Sequence, residues 1–274
     1  MKRVLFALLG LLLQACGPAP NTGTALESVK TESGIIGGRE TIATDFVIQY
    51  TVALYDPHAR QIRCTGTLVG NNLVLTAAHC LGLNPQSLYV LFTQNLALAT
   101  QASARPVIGA IAYPTWGNNR GLPQNTGDIA LIKYQGATPP GYKGANVIAN
   151  TTLMQNGSPV LLAGFGISDG VRKKGSGVLR QVTTKIADIR YSSTEITIDQ
   201  RQGLGACNGD SGGPAYVQIN NIVYFWGVSS RAHLDTKGTC TGFSIYTSIV
   251  PHLKWLQDTA RSLIAKNQFV YPKL

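Results

Sequence analysis

The sequence predicts an all-β fold finished by one C-terminal helix, and three observations carry that prediction. The chain is rich in turn-forming residues and poor in charge, with 30 Gly among 274 residues and 13% charged side chains. Its apolar residues come in short β-branched runs beside turn signals: Leu73 to Thr76 after Asn71-Asn72, Glu195 to Ile198, and Ile222 to Trp226 after Asn220-Asn221. Strands of this length, separated by breaks they cannot run through, suit a sandwich or a barrel. Only the last stretch changes period. Leu253, Leu256, Ala260 and Leu263-Ile264 recur at helical spacing, and Pro251, after Ser248, suits an early helical position where its missing N–H costs nothing.

At the start of the chain, Lys2-Arg3 precedes the apolar run Val4 to Leu13. This is the charged-then-hydrophobic pattern of a secretory signal, too short to span a membrane as a helix. Leu13-Gln14-Ala15-Cys16 resembles a bacterial lipobox, whose cysteine is acylated and becomes the new N-terminus. A bulky Leu13 suits that reading better than ordinary cleavage at small residues, which stays open as the alternative. Gly17 after the cysteine points, in a Gram-negative cell, to the outer membrane. Residues 1–16 therefore read as signal and lipobox, and residues 17–34, small, polar and proline-bearing, as a flexible tether and propeptide.

Three later segments carry chemistry. In chain order they are Thr76-Ala77-Ala78-His79-Cys80, Asp128-Ile129-Ala130-Leu131 and Gly209-Asp210-Ser211-Gly212-Gly213-Pro214. A serine hydroxyl is a poor nucleophile at neutral pH and needs an imidazole to take its proton. The imidazole in turn needs a buried acceptor to fix its tautomer and stabilise its charged form. Ser211, His79 and Asp128 supply those three types. Each segment alone has an ordinary reading as a packed histidine, a strand start and a turn; their combination in this order does not.

The stretch around Ser211 resembles the trypsin/chymotrypsin family of serine proteases, which shares the order His, Asp, Ser. The resemblance extends from Ile35 onward. Ile35-Ile36-Gly37-Gly38 is similar to the family's mature N-terminus, Cys64 to Val69 to its first cysteine-bearing strand, Val160 to Gly166 to a strand ending in Gly-Trp-Gly with Phe165 for Trp, and Ile245-Tyr246-Thr247 to its Val-Tyr-Thr. It implies two packed antiparallel β-barrels, over 35–140 and 141–248 with a boundary near Pro139-Pro140-Gly141, then a helix and tail over 249–274; the plain reading of the helix's apolar stripe is that it packs on the second barrel. It implies a triad of His79, Asp128 and Ser211, an oxyanion hole from the amides of Gly209 and Ser211, and an activation pair formed when cleavage before Ile35 frees an amine for Asp210. It also pairs Cys64 with Cys80 and Cys207 with Cys240, leaving Cys16 of the 5 Cys. Gly34 departs from the basic residue usual before that cut, so activation by a trypsin-like enzyme there is not expected.

The resemblance places Gly205 at the bottom of the substrate pocket and Ser230, Ala232 and Ser244 on its walls, with Ser230 set to bond Asp128. Without a carboxylate at position 205 a substrate Lys or Arg would be buried unpaired, so the expectation is a serine endopeptidase preferring small uncharged residues. An acidic preference, suggested by Arg231, His233 and Lys237, is the alternative, as is a catalytically silent binding module of the same fold. A second register would put Phe225-Trp226-Gly227 on the wall. The cysteines lack paired metal-ligand spacing and the histidines show none, so no metal or cofactor is expected. Net charge of +10 brings no nucleic-acid motif with it. Protein or peptide substrates, a monomer, export, and membrane contact only through a lipid on Cys16 complete the expectation.

Overall fold

A computed structural model describes residues 35–70, 72–233 and 238–270. The expected signal, tether and Cys16 lie outside them, as does Lys237. In chain order the elements are β1 (Arg39–Glu40), β2 (Thr51–Asp56), β3 (Gln61–Gly70), β4 (Leu73–Thr76), β5 (Tyr89–Leu91), β6 (Ala104–Ala112), the single turn α1 (Trp116–Asn119), β7 (Ala130–Tyr134), β8 (Pro159–Gly164), β9 (Arg180–Asp188), β10 (Glu195–Asp199), β11 (Pro214–Ile219), β12 (Ile222–His233), β13 (Phe243–Ser248), α2 (Leu253–Ala265) and β14 (Phe269–Val270).

The first sheet runs β6-β5-β2-β3-β4-β7 and closes through β6 and β7; the second runs β9-β10-β13-β12-β11-β8 and closes through β9 and β8. Two closed six-strand antiparallel barrels result, which removes the exposed edges that an open sheet of this size would present. The apolar run Leu73 to Thr76 is buried at every position because both faces of β4 are covered. Leu73 and Leu75 share an outer groove with Leu253, Leu256 and Ala260 of α2, while Val74 joins the barrel core. The run expected at Ile222 to Trp226 continues to His233 as β12, and the register against β13 slips between Ser229 and Arg231. That bulge leaves Ser230 unpaired in the ladder.

Two expectations are corrected. The helix docks on the first barrel, not the second: Leu263 is fully buried there, and the β7 residue Lys133 donates its ammonium to the carbonyl of Leu263 at 2.7 Å. An apolar stripe fixes that a helix must be covered but not by what. The outer face of β4 and β7, with Leu73, Leu75 and Leu131, supplies the apolar surface. The barrel boundaries also exchange ends. Residues 35–40 belong with the second barrel, where Ile35 is buried in its core and β1 pairs with β9. The C-terminal β14 returns to the first barrel as a parallel partner of β6.

The docking of α2 makes a simple contrast. Leu263→Ala should destabilise the protein by about 2–5 kcal/mol, whereas Ile264→Ala, at a side chain 62% exposed, should change it by less than about 0.5 kcal/mol. Urea denaturation midpoints of the two variants check this; equal effects would refute the assigned helix face.

Candidate active site

His79 sits in the short 3-10 turn Ala78–Leu81 that follows β4. The disulfide Cys64–Cys80, with Cα atoms 5.9 Å apart, ties that turn to β3. Asp128 lies just before β7, 2% exposed. Its Oδ1 accepts the backbone N–H of His79 at 2.9 Å, and its Oδ2 pairs with His79 Nδ1 at 2.8 Å. A carboxylate can only accept, so Nδ1 carries the proton and Nε2 is left with its lone pair. The second barrel completes the shell: Ser230 donates to Oδ2 at 2.6 Å, and Thr247 donates to the Asp128 carbonyl at 3.1 Å. The bulge in β12 explains Ser230, since an unpaired residue in a ladder is free to re-aim its side chain.

The electrostatics follow from this burial. Desolvation works against a charged His79, but the charge and hydrogen bond of Asp128 outweigh it and hold the imidazolium pKa above its ordinary value, with Arg63 opposing. Desolvation likewise works against the Asp128 carboxylate. His79 and the hydrogen bonds from Ser230 and the His79 amide prevail, so Asp128 is held below the usual carboxylate range.

Ser211 stands on a tight loop against β3 and the end of β4. Gly209 has φ +95°, and a Cβ there would lie 2.9 Å from the Cα of Gly166, so only glycine fits. The loop is held by its carbonyls: Thr65 of β3 donates its hydroxyl to Gly209 O at 3.0 Å and its amide to Ser211 O at 2.9 Å. The amide N–H groups of Gly209 and Ser211 have no partner among the described residues. The Ser211 hydroxyl is also without a hydrogen bond there. Between them, Asp210 is fully buried. Its two oxygens accept the amides of Gly166 at 2.8 Å and Cys207 at 2.9 Å, and Gly164 and Gly166 leave the space the carboxylate occupies. Among the described residues burial is not offset by a bonded cation, so the Asp210 pKa is pushed up to about 7, against the opposing pull of those two amides and of Arg180.

A cavity of about 370 Å³ runs from Ser211 and Gly209 past Ser229, Ser230, Arg231 and Ala232 to Gln200 and Ser244. Phe225 and Trp226 are fully buried in the cores, which disposes of the second register. Ala232 and Ser244 pair across β12 and β13. The disulfide Cys207–Cys240, Cα atoms 5.5 Å apart, borders the same space. Gly205 does not line it. Gln200 reaches in from the end of β10 and fills the room beside Gly205, where a Cβ would meet its Cδ at 2.3 Å. The Gln200 amide is spent on the backbone, donating to Ala206 O and Cys240 O, both at 2.9 Å, and accepting from Ala206 N at 3.1 Å. Arg231 lines the wall, but its guanidinium turns away to Glu195. His233 borders a different hollow, with Tyr191 and Phe243. No sequence signal pointed to Gln200 or Glu195, because neither stands in a motif and both act by reaching across the fold. Cys64, His79 and Cys80 cluster closely, but the two sulfurs are joined to each other and offer no thiolate to a metal.

Comparison with known proteins agrees with this fold and gives the family. The sequence model of the trypsin family, described as "Trypsin", matches residues 35–256. Mouse complement factor I is 28% identical over 92% of this chain, which spans only 42% of that relative's length. Chymotrypsin-like elastase family member 1 of Macaca fascicularis is 24% identical over 85% of this chain and 92% of its own; serine protease SP24D of Anopheles gambiae is 28% identical over 83% and 81%. Among solved structures, mouse neuropsin, described as a serine protease expressed in the limbic system, matches with a TM-score of 0.67 at 23% identity, covering 82% of this chain and 100% of that one. At that identity the likeness speaks for the fold.

In a Ser211→Ala protein, NMR titration should place the His79 imidazolium above the ordinary value of about 6.5. Adding Asp128→Asn should bring it down, because the raising charge is removed while burial remains. An unchanged titration would mean that Asp128 does not govern His79.

Proposed function

We propose, from the premise that this chain belongs to the trypsin family of serine proteases and is a hydrolase, that it cleaves peptide bonds through an acyl-enzyme formed on Ser211. The observation that carries the reading is a buried Asp128 bonded to a part-exposed His79, with a serine loop packed on the same β3–β4 segment whose two amides are unpartnered among the described residues. In the proposed step Ser211 Oγ attacks the scissile carbonyl as His79 Nε2 takes its proton. The carbonyl oxygen gains charge between the N–H groups of Gly209 and Ser211, where losing one donor would cost about 2.7–4 kcal/mol. His79 passes the proton to the leaving amine, then draws one from the attacking water and returns it to Ser211 Oγ as the acyl group leaves as the free acid. No cofactor enters these steps.

For the residue before the scissile bond, an uncharged and small side chain remains the reading. The floor carries the neutral Gln200, whose polar hydrogens are already committed, and Ala232 and Ser244 narrow the walls. An acidic preference loses its main support, because Arg231 is neutralised by Glu195 at 2.9 and 3.0 Å. Two disulfides are at home in an oxidising compartment, which supports export; acylation at Cys16 would hold the precursor at the cell envelope.

Processing before Ile35 is part of the same reading. Ile35 has φ +50°, a strained conformation for a β-branched residue costing on the order of 1–3 kcal/mol. That torsion is defined through the bond to Gly34, so cleavage abolishes it. The freed ammonium would give Asp210 the cation it lacks.

A serine-directed phosphonate probe tests the chemistry: a single adduct on the protein, lost in Ser211→Ala, is expected. Matched peptides should be cleaved fastest after Ala, Val or Ser, and rapid cleavage after Arg would contradict the pocket reading. The unprocessed chain should also show a distinctive stability profile. Its Asp210 holds a proton that the unfolded chain releases above the ordinary value of 3.8, so the contribution of this one group to folded stability is fullest below about pH 4 and is lost as pH rises through about 7. Asp210→Asn should flatten that decline in the precursor, as measured by denaturation across pH in the Ser211→Ala background.

A further inference from the structure

Glu195 opens β10 and is completely buried, yet it takes no part in the steps above. Its Oε1 accepts from the Thr126 amide at 3.1 Å, the Thr126 hydroxyl at 2.9 Å and Arg231 Nη1 at 2.9 Å. Its Oε2 accepts from the Asn125 amide at 2.9 Å and Arg231 Nη2 at 3.0 Å. Arg231 then reaches the carbonyl of Pro123 at 2.7 Å. The pair therefore grips the segment from Pro123 to Thr126, which belongs to the first barrel and leads through Gly127 directly into Asp128. Asn125 is held in a left-handed conformation, φ +55°, and its own side chain accepts from the Thr194 hydroxyl at 2.8 Å.

The other end of the grip is equally close to the site. Arg231 follows Ser230 across the β12 bulge, and Ser230 is the second-barrel donor to Asp128. One ion pair thus fixes both the segment that delivers the aspartate and the residue next to its hydroxyl partner. A bidentate guanidinium–carboxylate contact is suited to this, since its planar fork fixes orientation as well as distance. A pair whose carboxylate is fully buried while its guanidinium is 28% exposed need not add stability over apolar groups of similar volume, so a role in setting position accounts for it better than a role in holding the fold.

We propose that Glu195 and Arg231 form a positioning latch across the two barrels that sets Asp128 against His79 and Ser230, and that keeps the Arg231 charge away from the substrate cavity. The proposal builds on the protease reading given above. Neither residue touches the reacting atoms; both act through Asp128.

The test pairs the probe reaction with a titration that does not depend on catalysis. Glu195→Gln/Arg231→Met replaces both charges together and should fold, with a denaturation midpoint near wild type. Its phosphonate labelling should slow by roughly 10- to 100-fold, the order expected when a reacting group is misplaced. In the Ser211→Ala background the His79 pKa should fall in that variant, because Asp128 no longer sits tightly on the ring. Peptide hydrolysis should lose kcat with KM little changed. Arg231→Lys, which keeps the charge but not the fork, is the second arm and should give the same changes in smaller measure, including if the double variant fails to fold. Wild-type labelling together with an unmoved His79 titration in a folded variant overturns the latch. A wild-type protein that never labels, but whose His79 pKa still falls in the variants, overturns the protease reading and leaves the latch standing.

Discussion

Asp128 carries a charge into the seam between the barrels, where it is 2% exposed, and neither barrel alone can satisfy it. The first barrel offers the carboxylate the amide and ring of His79; the second offers it the hydroxyl of Ser230, while Thr247 holds the Asp128 carbonyl. A buried carboxylate left without such partners would be strongly unfavourable. Docking of the barrels and assembly of the site are therefore one event. The disulfide beside His79, the bulge that frees Ser230 and the Thr65 contacts that hold the Ser211 loop all serve the geometry this one group demands.

Two other buried carboxylates show how differently the same problem can be met. Glu195 is matched by a guanidinium and backbone amides and stays charged, held below its ordinary range despite burial. Asp210 receives two amides and no bonded cation, and it rises to about 7. The contrast is one of charge: at Asp210 two amides do not outweigh the desolvation of the carboxylate, whereas at Glu195 the guanidinium does. It makes Asp210 the group most sensitive to whatever arrives at its side.

Much of this was legible in the sequence because it is local. The turn signals at Asn71-Asn72 and Asn220-Asn221 marked strands that form, the helical spacing from Leu253 marked a helix that forms, and the Gly-Asp-Ser-Gly-Gly stretch marked a loop that only glycine can build. The departures arose where a decision depended on distant surface. Gly205 read as the pocket floor because no neighbour in sequence says that Gln200 will fill the space it vacates. Arg231 read as a free positive charge because Glu195, its partner, lies 36 residues away in an unremarkable strand. The helix had a legible apolar stripe and an illegible destination.

The sequence by itself determined the candidate catalytic residue types and their order along the chain, several of the strand runs and the presence of the C-terminal helix. These follow from residue type and near-neighbour spacing. Tertiary structure alone decided which barrel the helix and each chain end join, what lines the cavity, and which charges remain exposed. Those outcomes depend on burial and on pairing between groups far apart in the chain, where the cost of leaving a charge or an apolar face uncovered selects the partner.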